Sequence, residues 1–350
     1  MQRKLASIQR VLEILPIANA DVIELVKING WQCVTKKGEF RVGDLGVYLE
    51  IDSIPPDIGQ FQFLWQPKLK ADESGQLAAT TVVARPDNFR IRTKRLRGEL
   101  SQGLFMPVTA FELGNVTEGD DLTEALRVEK FEPPPPQGMG EFRAHFPGFI
   151  PKTDEVRVQS EPRVLDELRG QPYAITLKCD GTSSTFVIDP RDGEFHACGR
   201  NMSIIDGDNL YWRVARKYDL EAKLRRQPHL AVQGEIVGPG IQKNRLGLRE
   251  TSFFAFSVYD ITAARFLDHE AARRFLADNE IPAVAVIEEG DSFQHSQESL
   301  LALAEGVYPG TKNEREGIVI RPRVEQRSVS MLGRLSFKAI SNRFLLKDGE

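Results

Sequence analysis

Several segments of this 350-residue chain carry side chains whose types and spacing could do chemistry. The first is Lys178-Cys179-Asp180-Gly181, at the end of an apolar, β-prone run that starts at Tyr173. On a strand, residues two apart share a face, so Lys178 and Asp180 are expected side by side. Gly181 lets the chain turn there or come close to a ligand. A lysine attacks as a nucleophile only when neutral. Desolvation and nearby cations favour that form, whereas an adjacent carboxylate opposes it. Asp180 therefore suits orienting the amine or holding a hydrated metal better than removing its proton. Taken alone, the segment reads more simply as a strand end with a salt-bridged surface lysine.

A second segment, Val232-Gln233-Gly234-Glu235-Ile236-Val237-Gly238, places an acid inside a buried-looking strand. A carboxylate there needs a cation, a hydroxyl or metal-bound water as partner, or else forms a structural ion pair. Glu316 stands at the mouth of another apolar strand, Gly317 to Arg321. Lys338 lies on Leu335 to Ala339, where an isolated lysine would ordinarily snorkel at an edge. Between them runs Phe253-Phe254-Ala255-Phe256-Ser257-Val258-Tyr259-Asp260. Such alternation usually means core packing, but one ring could stack on a base. Arg200, after the strand Glu194 to Cys198, is a cation suited to phosphate contact.

The elements that must position these groups fall on either side of a seam, Phe131-Glu132-Pro133-Pro134-Pro135-Pro136-Gln137-Gly138-Met139-Gly140. Consecutive prolines remove backbone donors and favour polyproline II, so 131–150 reads as an interdomain linker. Ahead of it, Val22 to Ile28, Trp31 to Lys36, Leu45 to Glu50, Thr81 to Ala84 and Phe89 to Lys94 read as short strands between turn signals. They suggest an oligonucleotide-binding (OB) β-barrel over 1–130. Beyond it, 151–350 mixes strands (Ala174 to Val187, Ala231 to Val237, Ser252 to Ile261) with helices expected at Asn209 to Arg226 and Thr262 to Asn279. No βαβ period appears, which argues α+β rather than a dinucleotide-binding sheet.

Net charge is −4, so nucleic-acid affinity would have to come from local basic patches. One candidate is Arg90, Arg92 and Lys94 on a single strand face, continued by Arg95 and Arg97; the alternative is a solvated edge that blocks aggregation. Cys33, Cys179 and Cys198 form no C-x-x-C pair, so no zinc site or disulfide framework is suggested. No Walker-type loop, signal peptide or membrane-length apolar run is seen, and a cytoplasmic monomer without membrane association is expected.

In order along the chain, K-x-D-G, Arg-Asn, Gly-Glu, the aromatic strand, E-G-x-V-I and the strand lysine resemble the covalent nucleotidyltransferase superfamily of polynucleotide ligases and mRNA-capping guanylyltransferases. The details are most similar to RNA ligases of the Deinococcus nick-sealing type, with a similar Naegleria ligase. That group carries its OB domain first. The resemblance implies an ATP-grasp-like α+β ligase domain after an OB domain, and an ATP-dependent RNA ligase acting in RNA repair with Mg2+ or Mn2+. It makes Lys178 the adenylated nucleophile and Arg200 a phosphate or nucleotide contact. Glu235 becomes the acid near the ribose and metal waters, and Phe256 the ring on adenine, with Phe254 as second choice. Asp180, Glu235 and Glu316 would hold the hydrated ion. Lys338 would neutralise the α-phosphate, and Arg157, in Pro151 to Gln159, would contact phosphate.

In this family the last motif often carries a second lysine, and Ile340 stands at that position; Lys347 or Arg343 are the candidate substitutes. The implied reaction seals 5′-phosphate and 3′-hydroxyl ends through a lysyl-AMP and an adenylated 5′ end, at nicks with RNA on the 3′-hydroxyl side. Motif order alone does not separate this from a capping guanylyltransferase or a DNA ligase. A non-catalytic RNA- or tRNA-binding OB protein is the alternative of another class. The segments around Leu15 to Asp21 and Gly43-Asp44 are faintly similar to tRNA-binding OB modules.

Overall fold

The computed structural model describes residues 3–66, 83–133, 135–136 and 138–347. Its contacts divide the chain into two compact units, Gln2–Pro133 and Pro134–Lys347.

The first unit is built on the strand Ala6–Pro16, which pairs antiparallel with Leu45–Leu49 through its first half and with Ile23–Ile28 through its second. The register slips between Val11 and Glu13. Such a bulge sharpens the bend and twist, allowing one strand to serve two parts of a curled sheet. The bulge also breaks the alternation of apolar residues, and for that reason the sequence pattern does not reveal this strand. The strand order is Trp31–Lys36, Ile23–Ile28, Ala6–Pro16, Leu45–Leu49, Leu104–Pro107. Ile8, Val47, Leu49 and Phe61 fill the core beneath it.

Three sequence expectations in this unit change. Of the strand expected over Thr81 to Ala84, Thr81 and Val82 lie outside the described residues, and Val83 and Ala84 are not in a strand. The strand expected over Phe89 to Lys94 begins only at Thr93, in a hairpin of Thr93–Leu96 with Glu99–Gln102. Arg90, Arg92 and Lys94 therefore do not share a strand face. The hairpin turns on Arg97 (φ 49°) and Gly98 (φ 91°), the paired left-handed residues that a tight hairpin turn demands.

The second unit holds two sheets. A seven-stranded antiparallel sheet runs Phe142–His145, Met202–Ile204, Phe195–Cys198, Thr182–Ile188, Leu230–Val237, Ser252–Asp260, Arg265–Phe266. A five-stranded sheet runs Val156–Arg157, Phe337–Ile340, Gly317–Pro322, Tyr173–Lys178, Val286–Gly290, its first pair parallel. The single strand expected over Ala174 to Val187 is thus two strands in different sheets, and Lys178 to Thr182 is the crossing between them.

Each sheet packs one face on helices. Phe186, Val232, Ile236 and Phe253 meet the helices Leu210–Lys217 and Leu220–Arg225 in one core. Ile175, Ile318, Ile320 and Phe337 share another with Leu165, Leu168 and Leu300. The helix expected over Asn209 to Arg226 is broken by Asp219 in the left-handed region (φ 49°). Its start is capped by the Asn209 side chain, which accepts the Trp212 N–H at 3.1 Å. The helix expected from Thr262 starts only at His269, because the Asp260 carboxylate accepts the Ala263 N–H in a turn and Arg265–Phe266 then forms a strand.

Candidate active site

The face of the five-stranded sheet turned away from its helices carries the expected cations. Register places Thr176, Val319 and Lys338 in one cross-strand row, extended by Arg157 through the parallel pair. The next row holds Lys178, Gly317 and Ile340. Side chains in one row, and in rows two residues apart, share a face. Lys178, Lys338 and Arg157 therefore converge. Ile340 shares that face but is buried at 3 % exposure. Neither sequence candidate for the second cation takes its place, since Lys347 pairs with Glu314 at 3.1 Å and Arg343 with Glu305 at 3.6 Å.

Lys178 ends its strand and donates from Nζ to Glu316 Oε2 at 2.8 Å, both side chains largely buried. Burial favours the neutral amine, but the carboxylates of Glu316, Glu235 and Glu155 outweigh it and hold Lys178 above the ordinary lysine range. Lys338 moves the other way. Burial, then the charges of Lys178 and Arg157, push it down to about 8.

Glu235 lies in the other sheet, opposite Ser183 and Phe254. Burial raises its pKa first; Lys178 opposes this, while Glu316, Asp180 and Glu155 add to it, and the carboxyl is pushed up to about 8. Gly181 lets the crossing pass close against the strand Leu230–Val237: a Cβ there would lie 2.3 Å from the Ile236 carbonyl and 2.8 Å from Glu235 Cγ. Asp180 lies beyond the strand end, not beside Lys178 on a strand, and pairs with Arg245 (Nε to Oδ2, 3.3 Å). The Arg245 guanidinium in turn sits 4.1 Å over the ring of Phe344.

The aromatic strand splits its rings between faces. Phe253 is fully buried toward the helices, whereas Phe254 and Phe256 are half-buried beside Leu177, Val237, Val284 and Tyr308. Phe256 is the extra residue of a bulge, and Arg321 Nη1 donates to its carbonyl at 2.8 Å. Arg321 also pairs with Glu155 at 2.8 Å. Burial opposes the Glu155 charge, but Arg321 and then Lys338 hold its carboxyl below the usual range. Phe256 and Thr176 line one cleft with Val284, His269 and Arg321.

Two further groups of expected cations have partners of their own. Arg200 is held by both carboxylate oxygens of Asp154 at 2.7 Å, on a turn that Lys152 also grips through Asn201 at 2.8 Å. In the first unit Arg90 is half-buried, paired with Asp52 at 3.2 Å and stacked 4.1 Å over Phe131. Lys94, Arg95 and Arg97 are exposed on the hairpin. Sequence reasoning missed Tyr308, Arg245, Glu155 and Arg321. Each acts through contacts with residues far away in the chain, and no local spacing announces them.

An RNA ligase family model matches residues 171–340, and an OB-fold domain model matches residues 5–108. The Naegleria gruberi RNA ligase, solved as a mutant with ATP and Mn, is 37% identical, with 98% of each chain covered and a TM-score of 0.84. This chain belongs to the RNA ligase family. A second Naegleria mutant with AMP and Mn is 38% identical, again with 98% of each chain covered and a TM-score of 0.84. The same ligase with PPi is 37% identical over 98% of each chain, at a TM-score of 0.84. No curated protein matches the chain. The family fold agrees with the architecture expected from sequence, an OB-fold domain ahead of an α+β ligase domain. No described helix is long and apolar enough to cross a membrane.

Proposed function

We propose that this RNA ligase uses ATP to adenylate Lys178, passes AMP to a 5′-phosphate end, and seals that end to a 3′-hydroxyl at nicks with RNA on the hydroxyl side. The observation that carries this reading is the convergence of Lys178, Lys338 and Arg157 on one sheet face, with Glu316 at 2.8 Å from the Lys178 amine. Naegleria relatives 37% to 38% identical hold ATP, AMP or PPi, which are the substrate and products of such steps.

In the first step Lys178 Nζ gives its extra proton to solvent, its freed lone pair forms a bond to the α-phosphorus as the bond to pyrophosphate breaks, and the nitrogen then sheds a second proton to solvent. Lys338 and Arg157 face the negative charge that gathers on the phosphate oxygens, and such placed cations carry most of the catalysis in phosphoryl chemistry. In the closing step the 3′-hydroxyl attacks the adenylated 5′ phosphate and AMP leaves. Phe256, its carbonyl fixed by Arg321, supplies the ring for adenine, with Phe254 across from Glu235 beside it.

The donor set fits a hard divalent cation. Asp180, Glu235 and Glu316 offer oxygens only, and Glu235 is forced up to about 8 by burial and by its acidic neighbours, a crowding that added positive charge relieves. When bound there, through water, Mg2+ or Mn2+ would supply charge that favours the neutral Lys178 amine and offsets the phosphate. Arg245 pairs with Asp180 at 3.3 Å and so holds that carboxylate at the site. The exposed cations Lys94, Arg95 and Arg97 on the hairpin are suited to a nucleic-acid backbone.

Nicked duplexes with RNA or DNA on each side of the nick test the substrate assignment. Sealing is expected to depend on ribonucleotides at the 3′-hydroxyl side. Equal sealing of all-DNA nicks would overturn it.

A further inference from the structure

Tyr308 is 1 % exposed and belongs to none of the charged groups of the site. Its hydroxyl nevertheless accepts the N–H of Asp180 at 3.0 Å and the N–H of Glu316 at 3.1 Å, and donates to the carbonyl of Lys178 at 3.0 Å. A phenol has one proton to give and two lone pairs to receive, so all of its capacity is spent on these backbone bonds. The three bonds join two segments 138 residues apart in sequence, at the residues whose side chains meet in the Lys178–Glu316 pair. The backbone that carries the ring is itself fixed. Its N–H donates to the Asn313 carbonyl at 3.0 Å, and its carbonyl accepts Thr311 N–H at 3.1 Å.

We propose that Tyr308 is a positioning residue for adenylation, a strut whose hydroxyl sets the separation and orientation of Lys178, Asp180 and Glu316. The proposal rests on the reading of Lys178 as nucleophile. The ladder ends at the Lys178–Gly317 pair, so the strand alone does not define where Asp180 goes. Tyr308 supplies hydrogen bonds where the ladder stops. Removing the oxygen takes this partner from two N–H groups and one carbonyl in a buried place, and the two segments relax independently.

Tyr308→Phe removes only that oxygen. With labelled ATP, the single-turnover rate of adduct formation is expected to fall about 100-fold, the scale of a misplaced reacting group. ATP half-saturation should stay within about 3-fold, because nucleotide binding does not use the hydroxyl. A double-mutant cycle with Glu316→Gln then asks whether the strut works through that pair. Tyr308→Phe should cost much less in the Glu316→Gln background than alone. The proposal is overturned if Tyr308→Phe adenylates at the wild-type rate, if the two losses simply multiply, or if the loss vanishes when rates are read in the cold, well below both melting transitions. Absence of any adduct in the wild-type enzyme would instead overturn the assignment of Lys178, so the two failures are distinguishable.

Discussion

Two buried groups at the site titrate in opposite senses, and each has a consequence at the scale of the residue. The Glu235 carboxyl is raised to about 8, chiefly by burial. Its folded state keeps a proton that the unfolded chain has lost, so its contribution to stability is full below the ordinary carboxylate pKa and is lost as pH rises through about 8. Glu235→Gln is therefore expected to leave the melting temperature of the ATP-free, metal-free protein nearly unchanged at acidic pH and to raise it progressively up to about pH 8. The same variant should lose most adenylation. Thermal melts of both proteins across pH check the first part; a gain over wild type no larger at high pH than at low would contradict the role of burial. Lys338, depressed to about 8, is expected to be indispensable. Lys338→Met should cut adenylation at least about 100-fold, read as labelled adduct per minute. At this scale single strand contexts suggested only ion pairs and edge lysines; it was the order of the motifs that grouped Lys178, Glu235, Glu316 and Lys338, which the structure brings within electrostatic reach of one another. The sequence was silent on Tyr308 and Arg245, whose partners lie in distant loops, and it misjudged Asp180, which the turn carries past the strand end toward Arg245.

Among the elements, the crossing between sheets matters most. Lys178 closes a strand of one sheet and Thr182 opens a strand of the other, so the intervening turn brings Glu235 against the sheet that carries Lys178. Gly181→Ala would place a Cβ 2.3 Å from the Ile236 carbonyl, a backbone clash that only a shift of the crossing or of the strand Leu230–Val237 relieves. Lower thermal stability and at least about 10-fold slower adenylation are expected; wild-type values for both would show the crossing to be looser than described. The elements legible in sequence were those with unbroken alternation or a sustained apolar run, such as Trp31–Lys36 and Leu230–Val237. The bulged Ala6–Pro16 was missed for want of that pattern, and the continuous apolar-to-polar run from Ala174 to Val187 concealed a break that only Gly181 hinted at. The hairpin shows the cost of reading charge without geometry. Arg90 is tied to Asp52 and Phe131, leaving Lys94, Arg95 and Arg97 as the exposed cations. Replacing these three by alanine should leave adduct formation intact but weaken binding to nicked duplex. The slope of log affinity against log salt should flatten by about 0.9 for each phosphate that is no longer neutralised. An unchanged slope would remove the hairpin from the nucleic-acid surface.

For the molecule as a whole, the two units have separate cores, and every group proposed for adenylation lies in Pro134–Lys347. On the proposed function, an OB-fold unit ahead of the ligase unit divides the work: chemistry in the second, grip on nucleic acid in the first. The central claim, however, is covalent and belongs to one atom. Wild-type protein incubated with ATP and Mn2+ or Mg2+, digested and analysed by mass spectrometry, is expected to carry AMP on the peptide containing Lys178, and Lys178→Ala should carry none. An adduct that persists in Lys178→Ala, or AMP found on another lysine, would contradict the account.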